Sequence, residues 1–316
     1  MPKKHKPRFG SLQFWPRKRA VRVLPSVNYK AIEKKKKGIL GAICYKAGML
    51  TAIVKDITPD SMTLNKQIFL PVTIIECPPM KVFGIRFYKE NKVTRDVLAS
   101  VDKELKRKIK IPKKSAKLEE KIPKEYDNIN LIVYSLVKRT GIKKTPDIAE
   151  IALGGSLQEK LEKAKNLFGK EISTTEIFSA GQLVDIHAVT KGKGLQGPVK
   201  RFGISLRQAK SEKGVRKAGS LGPWTPKRVS FRAPLAGQLG FFTRCHYNNK
   251  ILEIADIKKK DINPTGGFLH YGKIKTFYAI VKGSIQGSAK RPLLLSFASR
   301  ETKKTAKKKF ELIKLE

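Results

Sequence analysis

The chain of 316 residues carries 68 Lys and Arg against 26 Asp and Glu, a formal net charge of +42. Self-repulsion at this charge opposes compaction, so we expect the chain to work beside a polyanion, with nucleic acid favoured over a membrane surface. Its longest apolar runs, such as Leu131–Val137, are far shorter than the roughly 20 residues of a membrane-spanning helix.

Residues 1–38 are predicted to form a basic N-terminal arm. Lys3–Lys37 contains 13 basic residues and one acid, Glu33, and no apolar core of the kind that a secretory signal requires. The chain has three widely separated cysteines and four scattered histidines. This spacing predicts neither a disulfide framework nor a zinc site, so we expect a reducing compartment and no bound metal.

Short runs rich in Ile, Val and Phe, with turn residues between them, predict β-strands after the arm. The first runs are GILGAICYKAGMLTAIVKD, LPVTIIECPP and MKVFGIRFY, and later ones include QLVDIHAVTKG, KILEIADI, TFYAIVKGS and RPLLLSFAS. We therefore predict a β-barrel core made of residues 39–91 and 181–300. Residues 301–316 are predicted to form a basic tail whose Lys run is of the kind usually solvated.

Residues 92–180 differ from the predicted core in composition. Lys and Glu mix in runs that favour helices, such as RDVLASVDKELKRKI, which predicts a mostly helical insert. Ser156 stands three residues before Glu159, as in a capping box, and Gly169 ends the following helical pattern. Asn130–Val137 is predicted to be a strand inside or beside this insert.

Gly192, Gly194 and Gly197 have the spacing GxGxxG of a dinucleotide-binding turn. That turn places its third glycine inside a helix, whereas Pro198 favours an extended chain after Gly197. The alternative is a glycine-hinged exit from a strand, in which backbone amides approach phosphates closely. The predicted hinge glycines are Gly192, Gly194, Gly197 and Gly237.

Residues 197–237 are predicted to be a long basic loop that does not fold alone. Lys191–Lys250 holds 14 Lys and Arg and one acid, Glu212, and its apolar residues are too few to offset the ordering entropy of the backbone. We expect an anionic partner to order it. The candidate RNA-binding residues are Lys18, Arg19, Arg22, Lys191, Lys193, Lys200, Arg201, Arg207, Lys213, Arg216, Lys217, Trp224, Lys227, Arg228, Arg232 and Arg244.

Six segments between about Arg8 and Phe297 resemble, in order, the signatures of the universal large-subunit ribosomal protein three family, in its archaeal and eukaryotic form. They are FGSLQFWPRKRA, VTKGKGLQGPVKRFGI, GSLGPWTPKRV, AGQLGFFTRCHYNNKI, GGFLHYGKI and VKGSIQGSAKR. The resemblance covers nearly the whole chain, although residues 92–180 match only as helices and charges.

The resemblance implies a six-stranded split β-barrel of the translation-protein type, with a helical insert and two extensions that enter large-subunit rRNA. It implies binding near the 3′ end of that rRNA, a role in early subunit assembly and universal protein fourteen as a neighbour. The tip of the long loop, Pro223, Trp224 and Thr225, would then lie near the peptidyl transferase centre. The implied protein is a monomer within the cytoplasmic ribosome, without cofactor, membrane partner or small-molecule substrate.

Two tryptophans and one acid have alternative interpretations. Trp224 is predicted to stack on an unpaired base, an interaction of roughly 1 to 3 kcal/mol, or else to anchor the loop in an apolar pocket of its own. Trp15 is predicted either to stack on RNA or to staple the arm to the barrel. Some relatives carry a modified His or Gln near Glu212, so no modified residue is carried over to this chain.

Two other function classes stay open at this stage. An RNA-modifying or nucleotide-dependent enzyme would use the GxGxxG at Gly192, but the sequence offers no paired carboxylates and no Cys–His arrangement for catalysis. A mitochondrial precursor would lose about its first 30 residues, Trp15 among them, on import.

Overall fold

The computed structural model describes residues 10–99, 102–110, 122–210, 213–225 and 227–316. This part of the chain contains fifteen strands and four short α-helices, so the predicted mainly β fold is confirmed. The chain divides into two compact units. The smaller unit comprises Met1–Val21 and Val189–Thr243, and the larger unit comprises Arg22–Ala188 and Arg244–Glu316.

The strands of the described residues range from 2 to 16 residues in length. The strands are β1 (Gly38–Ile39), β2 (Gly41–Asp56), β3 (Gln67–Cys77), β4 (Met80–Lys89), β5 (Lys92–Leu98), β6 (Asn128–Ser135), β7 (Ile148–Gly154), β8 (Glu171–Ile172), β9 (Leu183–Val189), β10 (Gly192–Gln196), β11 (Gly237–Gly240), β12 (Thr243–Asp256), β13 (Phe277–Lys282), β14 (Pro292–Phe297) and β15 (Phe310–Leu315). The α-helices are α1 (Lys30–Glu33), α2 (Leu157–Leu167), α3 (Pro198–Phe202) and α4 (Lys303–Lys307).

The first sheet has the strand order β14-β9-β12-β13-β3-β2-β15. It curls back on itself, because β14 pairs with β9 and also with β2. Ile43 lies opposite Leu294, and Ile74 lies opposite Ile280. All four side chains are buried in one continuous core. Apolar burial, at about 25 cal/mol per Å², therefore stabilises the curled sheet.

The second sheet has the order β1-β7-β6-β4-β5, with β8 beside β4. The β4–β5 hairpin turns at Glu90 and Asn91, which both have positive φ angles of 49° and 63°. Two central residues with positive φ are the signature of a tight turn whose twist matches that of the flanking strands. Four strands of this sheet, β5 to β8, come from residues 92–180.

The mostly helical insert predicted for residues 92–180 is not confirmed. The described residues of this segment contain four strands, β5 to β8, and one α-helix, α2, together with short 3-10 turns. Lys92–Leu98 forms β5, in which Val93, Thr94 and Val97 are β-branched residues that favour strands. It pairs with β4, and Arg86 of β4 holds the Asp96 carboxylate through two hydrogen bonds of 2.8 and 2.7 Å. The domain bounds themselves stay predictions.

Two local predictions within residues 92–180 are confirmed. Ser156 Oγ accepts a hydrogen bond from the Glu159 amide at 3.3 Å, and Glu159 Oε2 accepts from the Ser156 amide at 3.1 Å. This capping box starts α2, and Gly169, with φ +76°, follows its end. The strand predicted at Asn130–Val137 is β6, which begins and ends two residues earlier.

The basic tail forms part of the first sheet. After α4, the strand β15 pairs with β2, with Leu312 opposite Val54. Lys250 Nζ donates hydrogen bonds to the backbone carbonyls of Ala306, at 3.1 Å, and of Lys308. Burial lowers the pKa of Lys250, as does the nearby Lys282. Residues 301–316 are thus held by backbone pairing and by a buried ammonium group.

Candidate nucleic-acid interface

The smaller unit contains a two-stranded antiparallel ribbon. β10 pairs with β11, with Gly192 opposite Gly240 and Gln196 opposite Gly237. Gly240 has φ +72°, and a Cβ atom there would lie 2.0 Å from the carbonyl oxygen of Lys191. This close approach requires glycine. Gly240 is absent from the predicted hinge set, although it precedes the paired aromatics Phe241 and Phe242.

The ribbon also explains why the GxGxxG spacing is not a dinucleotide site. Gly192 and Gly194 lie inside β10, which pairs antiparallel with β11, whereas the dinucleotide fingerprint needs a turn between a parallel strand and its crossover helix. The prediction of an extended chain after Gly197 is wrong. Pro198 is the first residue of α3, a position where its fixed φ favours a helix and its missing N–H costs nothing.

The four predicted hinge glycines have different surroundings. Gly194, with φ +64°, and Gly197 have open space where a Cβ atom would stand, whereas a Cβ on Gly192 would meet the ring of Phe241 at ordinary contact distance. At Gly237, the added atom would lie 2.9 Å from the guanidinium of Arg201. Arg201 is a flexible side chain that could move aside, so of the four only Gly194, with its positive φ, occupies a conformation that favours glycine. The hinge role of all four stays a prediction.

Two of the candidate arginines bind backbone within the smaller unit. Arg201 donates from Nη1 to the carbonyl of Leu235 at 2.9 Å and from Nε to that of Gln238 at 3.1 Å. Burial lowers the pKa of Arg201. Arg207 donates to the carbonyl of Ala218. These guanidinium groups bridge residues 11 to 37 positions apart, so they shape the loop as well as adding charge.

The N-terminal arm packs within the smaller unit through aromatic and cationic groups. The indole of Trp15 meets the ring of Phe231 edge-on, with centroids 5.4 Å apart. The Arg17 guanidinium carbon lies 4.9 Å from the Trp15 centroid and 4.6 Å from that of Phe202, distances typical of cation–π contacts. The sequence suggested two roles for Trp15, stacking on RNA or stapling the arm to the barrel. The contact with Phe231 is neither of these, because it joins the arm to the long loop.

Most of the candidate cations present their side chains to solvent. The exposed ones in the smaller unit are Lys18, Arg19, Lys191, Lys193, Lys200, Lys213, Arg216, Lys217, Lys227, Arg228 and Arg232. Arg22 and Arg244 belong to the larger unit, where Arg22 is exposed and burial lowers the pKa of the half-buried Arg244. Residues 1–21 hold seven basic residues and residues 189–243 hold twelve, against one acid, Glu212.

The predicted loop tip is open. Trp224 is 85% exposed, and Pro223 and Thr225 beside it are exposed too. Together with Leu221, Lys227 and neighbouring residues, Trp224 lines a shallow cavity of about 470 Å³. An indole that anchored the loop in its own apolar pocket would be buried, so the exposure favours contact with a partner. Glu212 and Pro226 lie outside the described residues.

A histidine and a cysteine lie close together in the larger unit. His187 Nε2 is 3.7 Å from Cys245 Sγ and 3.3 Å from Ser296 Oγ. Burial lowers the pKa of His187, and the nearby Asp185 opposes this shift. Burial, reinforced by Asp185, raises the pKa of Cys245 to about 12. The thiol is thus protonated at neutral pH and is a poor nucleophile.

Two further features are absent from the described residues. These residues contain no group of three or more His, Cys, Asp or Glu placed to hold a metal ion. None of their helices combines the length and hydropathy that a membrane crossing requires.

Known proteins similar to this chain are archaeal ribosomal proteins. The large ribosomal subunit protein uL3 of Methanococcus vannielii is 43% identical over 312 residues, covering 94% of this chain and 92% of its own. Those of Methanosphaera stadtmanae and Archaeoglobus fulgidus are 42% and 39% identical, each covering at least 94% of both chains. The family model described as ribosomal protein L3 matches residues 1–316. On this evidence, the chain belongs to the ribosomal protein L3 family.

Proposed function

We propose that this large-subunit constituent binds 23S-type rRNA near its 3′ end through the smaller unit. The observation that carries the proposal is an indole with 85% exposure in a unit whose described Lys and Arg side chains are mostly exposed. Phosphates would neutralise the cations, and counterion release would supply affinity. The resemblance in sequence supports the same target, since family members are constituents of the large subunit.

The exposed basic residues and the arginines that bind backbone carbonyls have different proposed roles. Exposed groups such as Lys191, Lys193 and Lys200 would contact phosphates, which positions the protein without reading sequence. Arg201 and Arg207, which hold backbone carbonyls, would keep the loop in the shape that reaches the rRNA. Arm and loop would bind as one body, because Trp15 joins them through Phe231.

Trp224 would act at the peptidyl transferase centre by holding rRNA bases in position. An indole is no useful acid, base or nucleophile at neutral pH, so its contribution is stacking, worth roughly 1 to 3 kcal/mol per base. The family is structural and non-enzymatic, and its members work in the cytoplasm within the ribosome. A role in early assembly and contact with universal protein fourteen complete this proposal.

We further propose that the curled first sheet is the split barrel of translation-protein type. Its support is the pairing of β14 with both β9 and β2, which brings the first and the last strands of the core together. β9 of this sheet ends at Val189, the residue at which the chain passes into the smaller unit.

The test is binding of purified protein to a transcript of the 3′ domain of large-subunit rRNA. We expect tighter binding to this transcript than to a 5′-domain transcript of equal length, at equal salt, with protection of bases from chemical modification where Trp224 contacts them. Equal affinity for both transcripts at every salt concentration would contradict the proposal. The runner-up, a nucleotide-dependent enzyme, predicts saturable binding of a dinucleotide that substitution of Gly194 abolishes.

A further inference from the structure

The C-terminal segment 300–309 of the larger unit is fixed along β12. Asn248 of β12 donates from Nδ2 to the carbonyl oxygen of Arg300 at 2.8 Å, and Lys250 of the same strand donates from Nζ to that of Ala306 at 3.1 Å. Two side chains of one strand thus hold two backbone positions of the segment. The side chains of the segment are therefore presented from a fixed backbone, which lowers the entropy cost of binding a partner.

A buried carboxylate places an aromatic ring beside the start of this segment. Asp185 of β9 is 1% exposed and accepts from the amide of Asn248 at 2.9 Å, and from the amide and hydroxyl of Ser299 at 2.9 and 2.8 Å. The residues next to these two donors, Tyr247 and Arg300, lie in contact, with the guanidinium carbon 5.3 Å from the ring centroid. The ring of Tyr247 is 45% exposed. An accessible aromatic ring and a guanidinium group are thus held together by the fold.

The segment carries a positive charge that the described chain does not compensate. Residues 300–309 include six basic residues and one acid, Glu301. Further along the tail, Lys314 pairs with Glu316 at 3.8 Å, whereas the five lysines of residues 303–309 form no ion pair with any described residue.

The ammonium groups around the segment repel one another. Burial lowers the pKa of Lys250, and the charges of Lys282 and Lys309 lower it further. Burial also lowers the pKa of Lys282, as does the charge of Lys308, while Asp56 opposes this shift. An anion bound at the segment would relieve the repulsion.

An aromatic ring among lysines is typical of surfaces that bind single-stranded RNA. The ring stacks on the face of an unpaired base, and the lysines contact phosphates of the same strand. An acidic protein segment would neutralise the lysines, but its carboxylates would leave the ring without a stacking partner. An RNA duplex would offer phosphates, but it keeps its bases stacked on one another. An unpaired nucleotide therefore matches both features of this surface.

We infer that Tyr247 and residues 300–309 form a second rRNA contact of this chain, located in the larger unit. Tyr247 stacks on an unpaired base, and Arg300 keeps its ring in place. Phosphates of the same strand are contacted by three exposed lysines of the segment, Lys303, Lys304 and Lys307. This contact presupposes the rRNA binding proposed above, and all of its residues lie outside the smaller unit.

The first experiment uses an adenylate octamer and an octamer with the same backbone but no bases. Binding to the full chain is followed by two-dimensional NMR, through the Nε–H group of Arg300 and the ring of Tyr247. We expect saturable shifts of both groups with the adenylate octamer, and an affinity for the abasic octamer lower by about fivefold or more. Equal affinity for the two octamers, or no shift of these groups, would overturn the proposal.

Substitutions of Tyr247 separate stacking from packing. Tyr247→Leu should lower the affinity for the adenylate octamer, measured at Arg300, by about fivefold or more, whereas Tyr247→Phe keeps a ring face and should stay within about twofold of wild type. Phe69→Leu, which removes a 67% exposed ring of β3, is the matched control and should bind normally. Equal affinities of the Leu and Phe variants would overturn the stacking role. A lowered thermal midpoint with unchanged affinity would make Tyr247 a structural residue only.

Salt titrations with the same octamer test the lysines. Lys303→Gln, Lys304→Gln and Lys307→Gln together should reduce the slope of log affinity against log salt by about two, since each phosphate contact of a single strand contributes about 0.7. The matched control changes three exposed lysines outside the segment, Lys103→Gln, Lys106→Gln and Lys108→Gln. It should leave the slope unchanged. Equal slopes for both variants, flattened or not, would overturn the proposed phosphate contacts.

The last experiment tests the partner class in assembled large subunits. A photo-crosslinking amino acid replaces either Lys304 of the segment or Lys200 of the smaller unit, both exposed. We expect cross-links to rRNA from both positions. A cross-link from Lys304 to protein alone, with rRNA still reached from Lys200, would overturn the second contact and leave the proposed function intact. The reverse result would contradict only the proposed role of the smaller unit.

Discussion

The ring of Trp15 in the N-terminal arm meets the ring of Phe231 in the long loop edge-on, with centroids 5.4 Å apart. This contact joins two segments that are separated by more than 200 residues. Aromatic pairs in this arrangement contribute about 0.5 to 1.5 kcal/mol beyond their buried area. Because the chain has only two tryptophans, the contact can be observed directly.

Acrylamide quenching should distinguish the two indoles. In Trp224→Phe, emission comes from the half-buried Trp15 alone, and we expect weak quenching. In Trp15→Phe, it comes from the 85% exposed Trp224, and we expect strong quenching. Adding Phe231→Ala to Trp224→Phe should increase quenching of Trp15, whereas adding Val21→Ala, at a 94% exposed position, should not. Equal quenching of both single-tryptophan proteins would contradict the contact.

Amide hydrogen exchange should be fast along the long loop of the free protein. Within the described residues of 204–236, backbone-to-backbone donors are few, such as Arg207 to Val215 at 3.1 Å. The amides of Val184–Ala188, which lie in β9 of the curled sheet, should be strongly protected. Addition of rRNA should then protect the loop. Strong loop protection before rRNA is added would contradict the predicted need for an anionic partner.

Neighbouring residues Lys200 and Arg201 should behave differently in salt titrations. Lys200 is exposed, so Lys200→Ala should reduce the slope of log affinity against log salt by about one, and Ala at Lys191, Lys193 and Lys200 together by about three. Arg201→Ala should instead lower affinity at all salt concentrations, because it breaks hydrogen bonds to Leu235 and Gln238. Identical slopes for wild type and the triple variant would place the RNA face elsewhere.

Substitution of Trp224 should affect subunit function but not assembly. Trp224→Ala should lose roughly 1 to 3 kcal/mol of local base positioning, seen as increased chemical reactivity of rRNA bases near the tip. The side chain is 85% exposed, so the melting temperature of the free protein should not change. Phe should restore most of the wild-type pattern because it keeps a ring face. If Leu restored it equally well, the contact would be ordinary packing.

The stability of the larger unit should fall in mild acid because of His187. Burial lowers the folded-state pKa of this histidine below its unfolded value, so the unfolded chain binds more protons in the window between them. The free energy of unfolding should therefore decrease as pH falls from about 7 through that window. His187→Asn should show a shallower decrease in urea melts between pH 7 and 5. A steeper decrease in the variant would contradict the direction of the shift.

Sequence patterns predicted the features that depend on local chemistry. The capping box of α2 follows from Ser156 and Glu159, and β6 follows from its apolar run, because both signals are carried by neighbouring residues. Lys92–Leu98 escaped prediction because the mixed Lys and Glu composition of residues 92–180 as a whole favours helices, whereas its own Val93, Thr94 and Val97 favour the strand that pairs with β4. Pro198 shows the same limit, since its ring suits an extended chain and the first turn of a helix equally well.

The candidate interface was predictable as a charge distribution and not as a set of contacts. The exposure of Trp224 agrees with its polar neighbourhood in the sequence. Arg201 donates to the carbonyls of Leu235 and Gln238, which are 34 and 37 positions away. No sequence pattern predicts these hydrogen bonds, because the other arginines of the segment have neighbours of similar composition.

The pairing of β2 with β14 has a consequence for biosynthesis. Ile43 and its partner Leu294 are 251 positions apart. At translation rates of about 5 to 20 residues per second, β2 is made roughly 10 to 50 seconds before β14 exists. During this interval β3 can cover one edge of β2, but the other edge exposes unpaired backbone beside apolar side chains, a template for aggregation. The edge of β2 that β14 covers is thus closed only when nearly the whole chain has been synthesised.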